Sequence, residues 1–257
     1  MALIKLEKDG HVALAKIDHP PANALSSKII EEVDQLLTEV ENDPDVRVVV
    51  LYGEGRFFSA GADIKEFTTV ESGEAFAKLA GKGQQVFERL ENFPKPVIAS
   101  IHGAALGGGL ELAMACHIRL VTKSAKLGLP ELQLGLIPGF AGTQRLPRLV
   151  GVAKAAEIML TSDPISGEEA VKWGLANHAY SDEELSSETL KLAKKISLKS
   201  PIAVKHALQM LTYSKDQSFY DGVEAEAKSF GEVFVSEDAK EGIQAFIEKR
   251  QPAFTGK

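Results

Sequence analysis

The amino-acid sequence predicts an α/β protein that ends in a helical tail, on three observations. The first 52 residues read strand, strand, helix, strand, and the last strand, 47–52, is a continuous apolar run of the kind buried in a parallel sheet. A strand, a small-residue turn and a helix follow one another twice, around residues 59–62 and 107–109. From Gly151 onward the texture changes and helical patterns dominate.

Residues 3–6 and 12–17 are two short strands joined by Asp9-Gly10, a hairpin signal. Pro20-Pro21 breaks regular structure. Ser26 or Ser27 then caps a helix whose apolar positions, Ile29, Ile30, Val33, Leu36, Leu37 and Val40, recur on one face until Asn42-Asp43-Pro44 ends it. After strand 47–52 come the small residues Ser59-Ala60-Gly61-Ala62 and a helix-compatible stretch in which Lys65 could meet a phosphate. A helix is expected over 78–92 with Leu79, Val86, Phe87 and Leu90 inward, weakened by Gly81 and Gly83. Pro94 and Pro96 close it before strand 97–101, and another short strand occupies 118–122.

The segment 134–143 is too apolar and glycine-rich for a surface loop and is expected to fold over a pocket, with a short helix over 143–150. Helices follow over 153–160 and over 166–174, the latter from a Ser cap to a Gly stop. A last strand falls within 175–180, and tail helices near 183–197, 201–214, 218–235 and 238–250. Val223, Phe230, Val233 and Phe234 form apolar stripes that need a covering surface, on the core or on another subunit. Trp173, beside the helix-ending Gly174, is expected in the core.

The chain has 257 residues, and its net charge of −7 argues against general nucleic-acid binding, although a few lysines could still hold an anionic ligand. Its single cysteine, Cys116, can form no intrachain disulfide, which fits a reducing compartment; a cytoplasmic protein is expected. The N-terminus is charged too early for a secretory signal, and no run of about twenty apolar residues predicts a membrane span.

The chemistry-bearing stretch is 102–116. Three glycines follow the strand 97–101, so a ligand can approach bare amides at a helix N-terminus, and Glu111 is the one charge in the apolar run beyond them. A carboxylate there is expected to be buried, and a buried carboxylate is costly unless it is partnered or used. Glu131 is a second isolated carboxylate, between Leu129-Pro130 and Leu132. His102 and His117 are expected to be structural, and neither HxxxH nor CxxC spacing occurs, so no metal site is predicted. There is no GxxxxGK[ST], no strand-linked GxGxxG and no GxSxG. Two carboxylates and two backbone-donor turns suit chemistry at a carbonyl whose α-carbon gains or loses a proton through an enolate-like state.

Those same residues carry a resemblance. Ser59-Ala60-Gly61-Ala62-Asp63-Ile64-Lys65-Glu66, Ala105-Leu106-Gly107-Gly108-Gly109-Leu110-Glu111-Leu112-Ala113, and Pro130-Glu131 through Ile137-Pro138-Gly139 to Gly142-Thr143-Gln144-Arg145-Leu146 resemble the enoyl-CoA hydratase (crotonase) family. The similarity runs end to end, including Lys95-Pro96-Val97-Ile98-Ala99 and Ala245-Phe246-Ile247-Glu248-Lys249-Arg250.

The resemblance implies an α/β, crotonase-like spiral of β-β-α turns over 1–195 that carries the active site. It also implies a helical C-terminal region, 196–257, that mediates homotrimers, commonly paired into homohexamers. The implied ligand is an acyl-CoA thioester whose carbonyl oxygen is held by the N–H groups of Ala62 and Gly108. Coenzyme A, part of the substrate rather than a separate cofactor, would lie along Leu25, Ala60, Ala62, Asp63, Ile64 and Lys65. Phe246 and Lys249 would reach its nucleotide, sometimes from a neighbouring subunit.

A glutamate at both Glu111 and Glu131 resembles the hydratases of the family, which add water across the 2,3 double bond of trans-2-enoyl-CoA in fatty-acid β-oxidation. In that reading Glu111 is the base that orients and activates water, Glu131 delivers the proton to C2, and Gly139 gives the water a backbone contact. Leu129 stands where many hydratases carry a polar Gln, and Phe140-Ala141 replaces a smaller pair, which bears on acyl-chain preference. The alternatives are a branched-chain or aromatic-pathway hydratase or an isomerase of the same family, and, outside catalysis, an acyl-CoA binding protein.

Overall fold

Val12, Ala13, Ala15 and Ile17 are all fully buried, more than a half-exposed hairpin strand would bury, because apolar clusters cover both faces of the sheet, Val12 in one and the other three in the other. In a computed structural model, which describes residues 2–68 and 70–257, β1 (Ile4–Asp9) and β2 (Val12–Ile17) form the expected antiparallel hairpin. The helix α1 (Ser27–Asn42) starts at the N-cap Ser26, whose side chain accepts from the Ile29 N–H, and its six buried residues are those the periodicity picked out. It returns the chain to β3 (Val48–Gly53), parallel to β2. A short helix α2 (Ile64–Phe67) and the long α3 (Gly73–Glu91) lead to β4 (Val97–Ile101), every residue of which is buried.

The chain then runs through β5 (Ala104–Leu106), α4 (Gly108–Ala115), β6 (Ile118–Thr122), β7 (Lys126–Gly128) and a 3₁₀ turn, Glu131–Leu134. Next come α5 (Gly142–Val150), α6 (Val152–Thr161), β8 (Ile165–Ser166), α7 (Gly167–Lys172), β9 (His178–Tyr180) and α8 (Asp182–Ser197). The main sheet has the order β1-β2-β3-β4-β6-β9 and is parallel beyond the hairpin; a small sheet has the order β5-β7-β8. Helix α8 covers one face through Leu185 and Ala193 against Val48, Val50, Ile98 and Leu120. The other face holds the larger core, around Leu37, Leu51, Phe58, Phe87, Ile101 and Leu110.

The tail is α9 (Pro201–Asp216), α10 (Phe219–Phe234) and α11 (Glu237–Glu248). Val223, Phe230 and Phe234 are exposed, together with Phe219, Tyr220, Phe246 and Ile247, whereas Val233 is half-buried. No helix among the described residues is long and apolar enough to cross a membrane.

Three expectations change. Helix α3 starts at Gly73 rather than 78, because Ser72 caps it by accepting from the Ala75 N–H. The strand expected within 175–180 shortens to His178–Tyr180, since Leu175 and Ala176 donate their N–H groups to Ala170 at the end of α7. Trp173 is 41% exposed rather than core, with Lys154 Nζ 5.1 Å from its ring centroid.

Candidate active site

Both small-residue turns meet at the start of α4. Ser59 and Ala105 form a parallel bridge: the Ser59 N–H donates to the Ala104 carbonyl and the Leu106 N–H to the Ser59 carbonyl, each at 3.1 Å. A Cβ on Gly109 would fall 2.4 Å from the Ser59 carbonyl oxygen, so only glycine lets the turns approach this closely. The approach brings two amides together: a Cβ on Gly108 would stand 3.4 Å from the Ala62 nitrogen. Among the described residues, neither the Ala62 N–H nor the Gly108 N–H donates to a protein acceptor. Gly108 opens α4, so the helix dipole adds to the pull of its amide on negative charge.

Glu111, one turn into α4, is 1% exposed. Its Oε1 accepts from the Phe140 N–H at 2.8 Å and the Gly142 N–H at 2.7 Å. Burial pushes this carboxyl up to about 7; the two amides pull it back, and the charge of Glu131 pushes it further up. Glu131 begins the 3₁₀ turn after Pro130, and burial raises its carboxyl too. Its Oε2 is buried with no hydrogen-bond partner among the described residues. The charge of Glu131 is thus one of the causes that raise Glu111, so the protonation of one carboxylate bears on the other.

Ala60, Ala62, Ile64, Gly108, Glu111, Glu131 and Gly139 all line one cavity of about 200 Å³. Leu25 is buried behind it, paired with Ala62 through a parallel bridge. Asp63 caps α2 by accepting the Lys65 N–H, and Lys65 is exposed; neither of them lines the cavity. Phe246 and Lys249 are not brought together with these residues: they lie on α11 and its C-cap and do not line the cavity.

The remaining wall is apolar: Phe67, Phe76, Leu79, Ala80, Leu134, Leu136, Ile137 and Phe140. The segment 134–143 thus does fold against a pocket, while Leu134 and Ile137 stay 58% and 73% exposed. Reasoning from residue types missed Phe67 and Phe76, which stack edge to face with centroids 4.8 Å apart. It also missed the main-chain clamp on Glu111, because amides leave no mark in a sequence.

The other candidates are structural. His102 Nε2 bonds to the Gly55 carbonyl, and His117 Nδ1 accepts the Val97 N–H while burial pushes its pKa down to about 4. Burial pushes the Cys116 thiol up to about 12, which leaves it no thiolate role near neutrality. Among the described residues no group of three His, Cys, Asp or Glu side chains is placed to hold a metal ion.

The chain is similar to known proteins in sequence and in fold. A profile of the family described as Enoyl-CoA hydratase/isomerase matches residues 7–257. A Bacillus subtilis (strain 168) protein named "Probable enoyl-CoA hydratase" is 57% identical over 257 residues, covering 100% of both chains. The "Short-chain-enoyl-CoA hydratase" of Clostridium acetobutylicum is 44% identical over 96% of this chain and 95% of its own. The solved structure of an enoyl-CoA hydratase from Bacillus anthracis superposes with a TM-score of 0.94 at 37% identity, over 99% of this chain and 100% of that one.

Proposed function

The chain belongs to the enoyl-CoA hydratase/isomerase family and has its crotonase fold, and from that premise we propose that it adds water across the 2,3 double bond of a trans-2-enoyl-CoA to give 3-hydroxyacyl-CoA. The observation that carries the reading is the convergence of two acidic side chains, Glu111 and Glu131, and two undonated amides, Ala62 and Gly108, on one apolar cavity.

The thioester carbonyl sits against the Ala62 and Gly108 N–H groups. Conjugation carries the negative charge that develops as water attacks C3 onto that oxygen, where one such donor contributes about 2.7–4 kcal/mol. Glu111 accepts the proton of the attacking water while the C3–O bond forms, and Glu131 gives its proton to C2. Transfer of one proton from Glu111 to Glu131 restores the starting state. Burial is harsher on Glu111, yet two amide donors meet on its Oε1 and favour the charged form, which supports the role of base. The unpartnered Oε2 of Glu131 supports a protonated acid there.

Coenzyme A runs past Leu25, Ala60, Ala62, Asp63, Ile64 and Lys65 in this reading, and a neighbouring subunit supplies Phe246 and Lys249. The exposed apolar residues of α10 and α11 support a homotrimer or a hexamer of paired trimers, which light scattering on the eluted protein tests. The small, aromatic-walled cavity supports a short acyl chain; a place in fatty-acid β-oxidation and in the cytoplasm belongs to the same proposal. The deciding experiment follows the absorbance of the conjugated thioester after crotonyl-CoA is added, then compares turnover from short to long chains. An unchanged absorbance would overturn the hydratase reading.

A further inference from the structure

The amides of Phe140 and Gly142 meet on Glu111 Oε1 only because the residue between them, Ala141, is left-handed, at φ 67° and ψ 23°. That conformation is unfavourable for a residue with a Cβ and persists only where its surroundings hold it. Arg145 holds it from both sides. Its main-chain N–H donates to the Ala141 carbonyl at 2.9 Å, and its guanidinium Nη1 donates to the Phe140 carbonyl at 2.7 Å. The peptide plane between Phe140 and Ala141 is thus pinned between the two that carry the clamping N–H groups.

Arg145 is itself held. It is 7% exposed; its Nε donates to Glu91 Oε2 at 3.0 Å, and its Nη2 stands 3.0 Å from the same oxygen in an ion pair. Glu91 Oε1 in turn accepts from Lys215 Nζ at 2.6 Å. A continuous path of charge-assisted bonds therefore runs from α9, through the last residue of α3, to the backbone that grips Glu111. None of these three side chains lines the cavity.

We propose that Arg145, anchored by Glu91, is a positioning residue for Glu111: it fixes the 140–142 backbone so that both amides point at one carboxylate oxygen. This rests on the hydratase reading, in which Glu111 is the base. A planar fork suits the task, since one guanidinium reaches a carbonyl on one side and a carboxylate on the other, which an ammonium cannot do with the same geometry.

The test compares the wild-type enzyme with Arg145→Gln, Arg145→Lys and Glu91→Gln, in turnover of crotonyl-CoA per folded enzyme. Misaligned catalytic groups cost up to about 100-fold, so kcat is expected to fall roughly 10- to 100-fold in Arg145→Gln and Glu91→Gln, with KM within about threefold. The charged groups acting on Glu111 are Glu131 and Arg145. Arg145→Gln is therefore also expected to move the acid limb of kcat/KM to higher pH. Arg145→Lys, which keeps the charge, returns the limb but not the full kcat.

Variants whose kcat stays within about twofold of wild type, or whose loss is accounted for by the folded fraction alone, overturn the proposal. A wild-type enzyme that leaves crotonyl-CoA untouched would instead sink the hydratase reading, so the two failures are told apart.

Discussion

Gly107 and Glu131 meet with no side chain between them: a Cβ on Gly107 would stand 2.9 Å from Glu131 Oε1. The first glycine of the turn therefore serves a carboxylate as well as a bend. At φ 50° and ψ −128° its backbone lies in a region that only glycine occupies without strain.

Gly107→Ala is accordingly expected to fail twice. The forced backbone costs about 1–3 kcal/mol of stability. The methyl group also displaces the Glu131 carboxylate, and a misplacement of about 1 Å lowers kcat roughly 100-fold. Thermal unfolding and turnover of crotonyl-CoA measure the two effects separately, and an alanine variant with wild-type kcat would show that Glu131 does not need its present position.

Glu111→Gln and Glu131→Gln should each lower kcat by about 10²–10⁴, the usual contribution of a positioned acid or base. The double variant should lose little more than the worse single one, because both act on one water and one proton inventory. Losses that simply multiply would contradict the shared role.

The pH profile follows from the burial of the pair. Glu111, pushed up to about 7, must be ionised to act as base, so kcat/KM is expected to drop as pH falls through about 7. Burial raises the Glu131 carboxyl as well, which favours its holding the proton it gives to C2. A profile flat from about pH 5 to pH 8 would remove Glu111 from the chemistry.

Stability should move the opposite way. Between the ordinary value of 4.5 and about 7, the native Glu111 holds a proton that the unfolded chain has released. The native state therefore binds more protons, and stability declines as pH rises through that window, by up to about 3 kcal/mol. Glu111→Gln removes the ionisation and is expected to melt higher than wild type at pH 8, the gap closing toward pH 4.5. Equal melting temperatures at both pH values would show that burial of this carboxylate costs nothing.

Much of this was legible where a residue broke the pattern of its neighbours. A lone glutamate in an apolar helix announces its burial, and the periodicity of α1 named its buried face residue by residue. The three-residue strands β5 and β7 and the two-residue β8 carry no period long enough to read, so the small sheet beside the site was missed. The clamp of Phe140 and Gly142 on Glu111 is main-chain chemistry, and the Arg145–Glu91 pair joins residues 54 positions apart, so neither leaves a local signal. Phe246 and Lys249, expected at the nucleotide, lie on α11 and its C-cap and do not line the cavity.

That the two donors proposed for the thioester oxygen are main-chain amides has an evolutionary consequence. A side-chain substitution cannot delete the Ala62 or Gly108 N–H; only proline would, and proline lacks that hydrogen altogether. Glu111 and Glu131, by contrast, are one nucleotide change away from glutamine. Mutation can therefore redirect what happens at C2 and C3 far more readily than it can abolish the grip on the thioester. A lineage built on this scaffold is free to explore new acyl-CoA reactions without first losing its hold on acyl-CoA.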